Sequence, residues 1–106
     1  MFDKYKFSYY AVKTLAEIPV TDKMVTLQKL LEGVSDAGLA FVNRKLLTKY
    51  EYNQFIRGTR KLVASGLIAE VDKRGVYLLN PEHIIHTDFQ EKMVECWEGW
   101  KSQELA

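Results

Sequence analysis

NRKLLTKYEYNQFIRGTRKLVASGLIAEVDKRGVYLLN, residues 43–80, is the stretch whose reading decides the fold. Within it Phe55, Thr59, Leu62 and Val63 stand at i, i+4, i+7 and i+8, one stripe of an amphipathic helix, while Gln54, Arg57, Arg60 and Lys61 fall elsewhere around the wheel. Gly66 follows the last periodic residue, the place where a left-handed glycine ends a helix. Residues 67–71 and 76–79 are then two strand-like runs joined by Asp72, Lys73, Arg74 and Gly75, a turn composition that predicts a hairpin with a basic tip. Asn80 and Pro81 stop the second run.

Working outward toward the N-terminus, Asn43 is a credible N-cap of a short helix whose apolar face is Leu46, Leu47 and Tyr50. Glu51 to Asn53 break that helix, which places the second periodic segment at about 53–65. Residues 39–42 are a short apolar run predicted as a strand. Before it, Thr21 is expected to N-cap a helix carrying Met24, Leu27, Leu30, Leu31 and Val34 on one face, closed by Gly33 and the Ser-Asp-Ala-Gly run after it. The aromatic-rich first ten residues are read as extended, and 11–18 as a brief helical turn before Pro19. Toward the C-terminus, Thr87 and Gln90 have capping-box spacing at the head of a last helix.

The whole chain has 106 residues, 47% hydrophobic and 27% charged, with 6 Gly and 2 Pro, which suits one globular domain rather than a disordered or fibrous segment. The single Cys96 excludes an intrachain disulfide and a multi-cysteine zinc site, and a cytoplasmic protein is expected. No window approaches the ~18 apolar residues of a membrane span, and the first residues lack the apolar core of a signal peptide, so membrane and secretion readings are set aside.

The net charge of +1 hides an asymmetry. Residues 1–81 carry 13 Lys/Arg against 8 Asp/Glu, whereas 82–106 carry 2 against 6. Between Asn43 and Lys61, Arg44, Lys45, Lys49, Arg57, Arg60 and Lys61 face the single acid Glu51, so an anionic partner is expected at that stretch. A solvated basic helix face is the plain alternative.

Helix, short strand, helix, turn, helix and basic-tipped hairpin is the element order of a winged helix-turn-helix domain. The run Arg57 to Ile68 resembles the end of the recognition helix and the entry to the wing in MarR-like regulators and in plasmid and phage replication proteins of the RepL kind, and Gly75 to Pro81 is similar to the Tyr-x-(Leu/Ile/Val)-Asn-Pro segment that ends the wing in many of the latter. The resemblance runs from about Lys23 to Pro81. It implies an α+β, mostly helical fold: a winged helix-turn-helix domain over 1–81, with recognition helix about 53–65 and wing about 67–79, and a C-terminal helical extension over 82–106. It places the helix in the major groove and the wing on backbone or minor groove. Arg pairs with guanine and Asn or Gln with adenine, so Asn53, Gln54, Arg57, Arg60 and Lys61 form the expected base- and phosphate-reading set. Arg44 and Lys45 are expected at phosphate beside a helix start, and Lys73 and Arg74 at phosphate from the wing. Tyr52 has two readings, packing and phosphate contact.

The chain has no Gly-rich phosphate loop, HExxH or CxxC spacing, so neither catalysis nor a cofactor is expected. His83 and His86 lie at i, i+3 near Glu82 and Asp88 without a second cluster to complete a metal shell, and Cys96 beside Trp97 is expected to be a packed thiol. Phe89, Met93, Trp97 and Trp100 form an apolar stripe on the acidic last helix, which either folds back on the domain or builds a two-fold interface; a homodimer is the expectation carried forward. Two functions follow. The first is sequence-specific double-stranded DNA binding, as a transcription regulator or a replication-initiation factor of plasmid or phage type. The second is a winged-helix adaptor docking on a polymerase or replisome component through its aromatic, acidic end.

Overall fold

The computed structural model describes residues 4–72 and 74–105. The chain runs β1 (Tyr5–Phe7), α1 (Tyr9–Ala16), α2 (Val20–Glu32), β2 (Leu39–Phe41), a single 3-10 turn (Arg44–Leu46), α3 (Lys49–Ala64), β3 (Ile68–Asp72), β4 (Val76–Leu79), β5 (Ile84–His86) and α4 (Gln90–Leu105). Among the described residues this is an α+β fold with four helices, a three-stranded antiparallel sheet in the order β2-β4-β3 and a two-stranded antiparallel ribbon of β1 and β5.

The core is assembled where α2 crosses α3 above the three-stranded sheet. α2 turns Leu27, Leu30 and Leu31 inward, α3 contributes Phe55 and Leu62, and the sheet contributes Ile68, Tyr77 and Leu79. Phe55 and Tyr77 meet edge to face with centroids 5.9 Å apart, the geometry their ring quadrupoles favour. Gly58 lets the two helices approach: a Cβ there would overlap the Thr26 hydroxyl.

The hairpin forms as its sequence dictates. Gly66 leaves α3 with φ 78°, and Asn80 Nδ2 donates to its carbonyl at 2.8 Å, tying the end of α3 to the end of β4. Gly75 at the hairpin tip has φ 108°, and the Val42 N–H donates to its carbonyl at 2.9 Å, fastening the tip to the end of β2.

Several boundaries differ from the sequence expectations. α2 begins at Val20 behind Pro19, so Thr21 lies within the first turn instead of capping it, and Met24 is more than half exposed. Proline at the cap position fixes the entry to the helix and leaves Thr21 no role there. The capping box is not at Thr87 but at Thr48: its hydroxyl accepts from the Glu51 N–H and the Glu51 carboxylate accepts from the Thr48 N–H. This starts α3 four residues earlier than expected, at Lys49. Glu51 does not break a helix here but closes the cap of α3. The helix expected from Asn43 shrinks to one 3-10 turn, capped by Asn43 Oδ1 from the Lys45 N–H, because Thr48 starts the next helix before it can lengthen. Leu46 and Tyr50, assigned to its apolar face, are exposed.

The segment after Pro81 is not a separate appendage. β5 pairs with β1 in the register Tyr5 to His86 and Phe7 to Ile84, and Ile84 and Met93 lie in the same buried cluster as Leu30 and Phe55. On the outer face of the three-stranded sheet Trp97 packs with Ala69 and Leu78, and Trp100 stacks against it at 5.3 Å. The stripe expected at a dimer interface therefore divides: Met93 (1% exposed) and Trp97 (7%) are interior residues of the monomer, Trp100 is half-buried beside them, and Phe89 packs on the His86 ring while remaining partly exposed. Met93 and Trp97 are closed off to a second copy because α4 folds back and covers apolar sheet surface that would otherwise face water.

Candidate nucleic-acid interface

α3 turns its apolar stripe toward α2 and the sheet, and the opposite side faces solvent. At about 100° per residue, Lys49, Asn53 and Arg60 fall within an arc of roughly 40°. That arc lies nearly opposite Phe55 and Leu62, and all three side chains are exposed. Lys45, in the 3-10 turn just before α3, is exposed as well. Among the described residues none of these four side chains makes an ion pair or a side-chain hydrogen bond, so three exposed cations and an amide are left unneutralised, two of the cations and the amide on one face of α3.

The other expected contact residues have different surroundings. Gln54 is 2% exposed and lies under the α2 crossing, so it is removed from the reading set: a helix face that packs on its neighbour cannot also enter a groove. Arg57 donates from Nε and Nη2 to the two carboxylate oxygens of Asp22, each at 3.0 Å, and Asp22 itself is buried. That hydrogen bonding raises the Arg57 pKa, and it commits the guanidinium fork to holding α3 on α2. Lys61 lies 3.3 Å from Glu17 at the end of α1. At the hairpin tip Arg74 is paired with Asp72, whose carboxyl is held below its ordinary range by the Arg74 side chain and backbone N–H. Lys73 lies outside the described residues.

Tyr52 is partly exposed at 39% and Arg44 is half-buried, and both line a groove of about 440 Å³ between α3 and the β3–β4 hairpin. Ile56, Val63 and Ala64 form its helix wall, Tyr77 and Glu70 its sheet wall, and Arg60 also borders it. Arg44 Nη2 donates to the Tyr77 hydroxyl at 2.6 Å, while Glu70 stands 3.8 Å away, beyond hydrogen-bond reach. Its Nε is buried without an acceptor among the described residues. Burial opposes the charge on Arg44, yet Tyr77, Tyr52 and Glu70 together outweigh it and raise its pKa.

His83 and His86 are taken up by local structure. His83 Nδ1 and Ser8 Oγ are 2.8 Å apart at the start of α1, and His86 Nδ1 accepts from the Asp88 N–H at 3.1 Å. Among the described residues no three His, Cys, Asp or Glu side chains gather as a metal site would need. Cys96 is half-buried near Trp97 and Trp100. No helix among the described residues is long and apolar enough to cross a membrane.

The sequence reading counts Lys49 in the basic stretch but leaves it outside the recognition segment and the contact set. The signal that recovers it is the Thr48–Glu51 capping box, which moves the helix start forward and puts Lys49 on the same arc as Asn53 and Arg60. Comparison with known protein families, curated proteins and solved structures finds no match to this chain.

Proposed function

We propose that this protein is a winged-helix-type, sequence-specific double-stranded DNA-binding protein in which α3 enters the major groove and the β3–β4 hairpin lies along the backbone. Support comes first from the fold: the order α2, β2, α3, β3, β4 and the sheet order β2-β4-β3 are compatible with a winged helix in which the first helix of the helix-turn-helix is reduced to the 3-10 turn Arg44–Leu46. The observation that carries the reading is the arc of Lys49, Asn53 and Arg60, with Lys45 in the turn before it, exposed and unpaired among the described residues, while Glu51, Asp22, Glu17 and Asp72 are engaged with Lys29, Arg57, Lys61 and Arg74. A solvated helix face has no need to keep its cations free when acids such as Asp22 and Glu17 pair their neighbours.

In this reading Asn53 is the base-reading amide and Lys45, Lys49 and Arg60 are the cations that neutralise phosphate. Regulation of transcription and initiation of plasmid or phage replication both start from such a bound site, and the second further needs recruited partners. The test is selection of duplexes from a random pool at two salt concentrations, followed by anisotropy titrations of the selected site. Lys45→Ala and Lys49→Ala should weaken all duplexes alike and each reduce the salt slope by about one. Asn53→Ala should instead lose about 1–3 kcal/mol on the selected site and little on others. Absence of any duplex binding at low salt, or equal binding by a folded Lys49→Ala, Asn53→Ala, Arg60→Ala triple variant, refutes the proposal.

A further inference from the structure

The groove between α3 and the hairpin holds two guanidinium groups with too few acceptors. Arg44 has five N–H donors. Within the described residues it has one short hydrogen bond, to the Tyr77 hydroxyl, and an Nε with none. Arg60, on the same groove, has no partner among the described residues. The groove's single acid, Glu70, is within ion-pair range of Arg44 but does not hydrogen-bond to it. A half-buried guanidinium left this way is costly, since a donor taken from water without an acceptor forfeits its solvation. One oxyanion with several acceptor oxygens would serve both arginines, and a phosphate group has the charge and the fork-matching geometry to do so.

We infer that this groove is a phosphate seat, in which Arg44 and Arg60 take one backbone phosphate of the bound duplex and Glu70 is the built-in competitor that the phosphate displaces from Arg44. The source of the phosphate rests on the DNA-binding reading; the seat itself does not. Two features make the groove suit a phosphodiester. The Tyr77 hydroxyl fixes Arg44 at its floor, so the cation is held in place before binding. The wall of Ile56, Val63 and Ala64 side chains is apolar and offers the two guanidinium groups no competing acceptor.

The experiment follows the Nε–Hε resonances of Arg44 and Arg60 by NMR while the full chain is titrated separately with inorganic phosphate and with the selected duplex. It is paired with anisotropy titrations of Glu70→Gln, a substitution at a partly exposed position that leaves the core untouched. The expected result is that the duplex moves both arginine signals together, that Glu70→Gln binds duplex several-fold more tightly, and that Arg60→Ala lowers the salt slope by about one. If inorganic phosphate moves both signals but no duplex binds, the seat stands and the DNA reading falls. If duplex binds while both signals stay in place and Glu70→Gln changes nothing, the seat is overturned and the DNA reading survives. If neither probe moves either signal, the seat is overturned.

Discussion

Gly58→Ala is the substitution for which two simple rules give opposite answers. Position 58 lies in the interior of α3, where replacing glycine by alanine ordinarily stabilises a helix by up to about 1 kcal/mol. Here the new methyl would overlap the Thr26 hydroxyl and stand 2.8 Å from Thr26 Cβ and 3.1 Å from Thr26 Cγ2. Rotating Thr26 about χ1 moves its hydroxyl and methyl but leaves Cβ where it is, so a side-chain adjustment cannot clear the space. Ordinary carbon contacts are ~3.5–4.0 Å, so α2 and α3 must separate by about 1 Å at their crossing. That crossing is lined by Leu30, Phe55 and Leu62, all fully buried, and overpacking of such a core costs about 1–3 kcal/mol. Packing therefore outweighs propensity, and the variant should be destabilised by roughly 1–2 kcal/mol. For a domain of this size that lowers Tm by about 4–8 °C. The assay is thermal and urea unfolding followed by circular dichroism. Thr26→Ala in the same chain removes the overlapping hydroxyl and the methyl, so the double variant should lose less than the sum of the singles, with a coupling of at least about 0.5 kcal/mol. A Gly58→Ala protein more stable than the wild type would refute the packing argument and the helix spacing on which the exposed arc of α3 depends.

Thr48→Ala removes the hydroxyl half of the capping box and should cost about 1 kcal/mol, with the loss visible as fraying of the first turn of α3 in hydrogen exchange. Trp97→Ala should destabilise the monomer by about 3–5 kcal/mol without changing its sedimentation coefficient at concentrations where it stays folded, because the ring is spent on Ala69 and Leu78 of its own sheet. Acid should weaken the fold through carboxylates with depressed pKa values: Glu51, held down chiefly by the Thr48 N–H, Asp72, held down by Arg74, and Asp36, held down by Lys92. The unfolded chain binds those protons more readily, so their contribution is complete above the ordinary carboxylate range near pH 4 and is lost as the pH falls through the lower folded values. A Glu51→Gln, Asp72→Asn, Asp36→Asn variant should show a shallower fall of Tm with pH over that window than the wild type.

The helical stripe, the stop at Gly66 and the hairpin around Gly75 were legible in residues 43–80; Phe55, Thr59 and Leu62 are buried as the stripe requires, whereas Val63, assigned to it as well, is exposed on the groove. These features are local: a 3.6-residue period, a positive φ and an alternation of apolar residues are set by neighbours in sequence. The start of α3 was not legible in this way: residues 51–53 read as a break, whereas Thr48 and Glu51 form a capping box that begins the helix at Lys49.

Which cations of the basic stretch remain free was decided by tertiary structure alone. Arg57 and Arg60 are three residues apart on the same helix and look alike as sequence. One meets Asp22, 35 positions away on α2, and the other meets no acid among the described residues. Gln54 shares its chemistry with Asn53 but lies under the helix crossing, so a rotation of about 100° separates an interior amide from an exposed one. The tail shows the same limit. A stripe of Met93, Trp97 and Trp100 announces that something must cover it, and composition cannot say whether that is a second chain or the same one. The pairing of β5 with β1 anchors the segment that leads into α4, and α4 then lies with Trp97 on the sheet. Periodicity specifies a face that is to be buried; the partner of that face is fixed by long-range contacts, whose energies depend on the whole chain having closed upon itself.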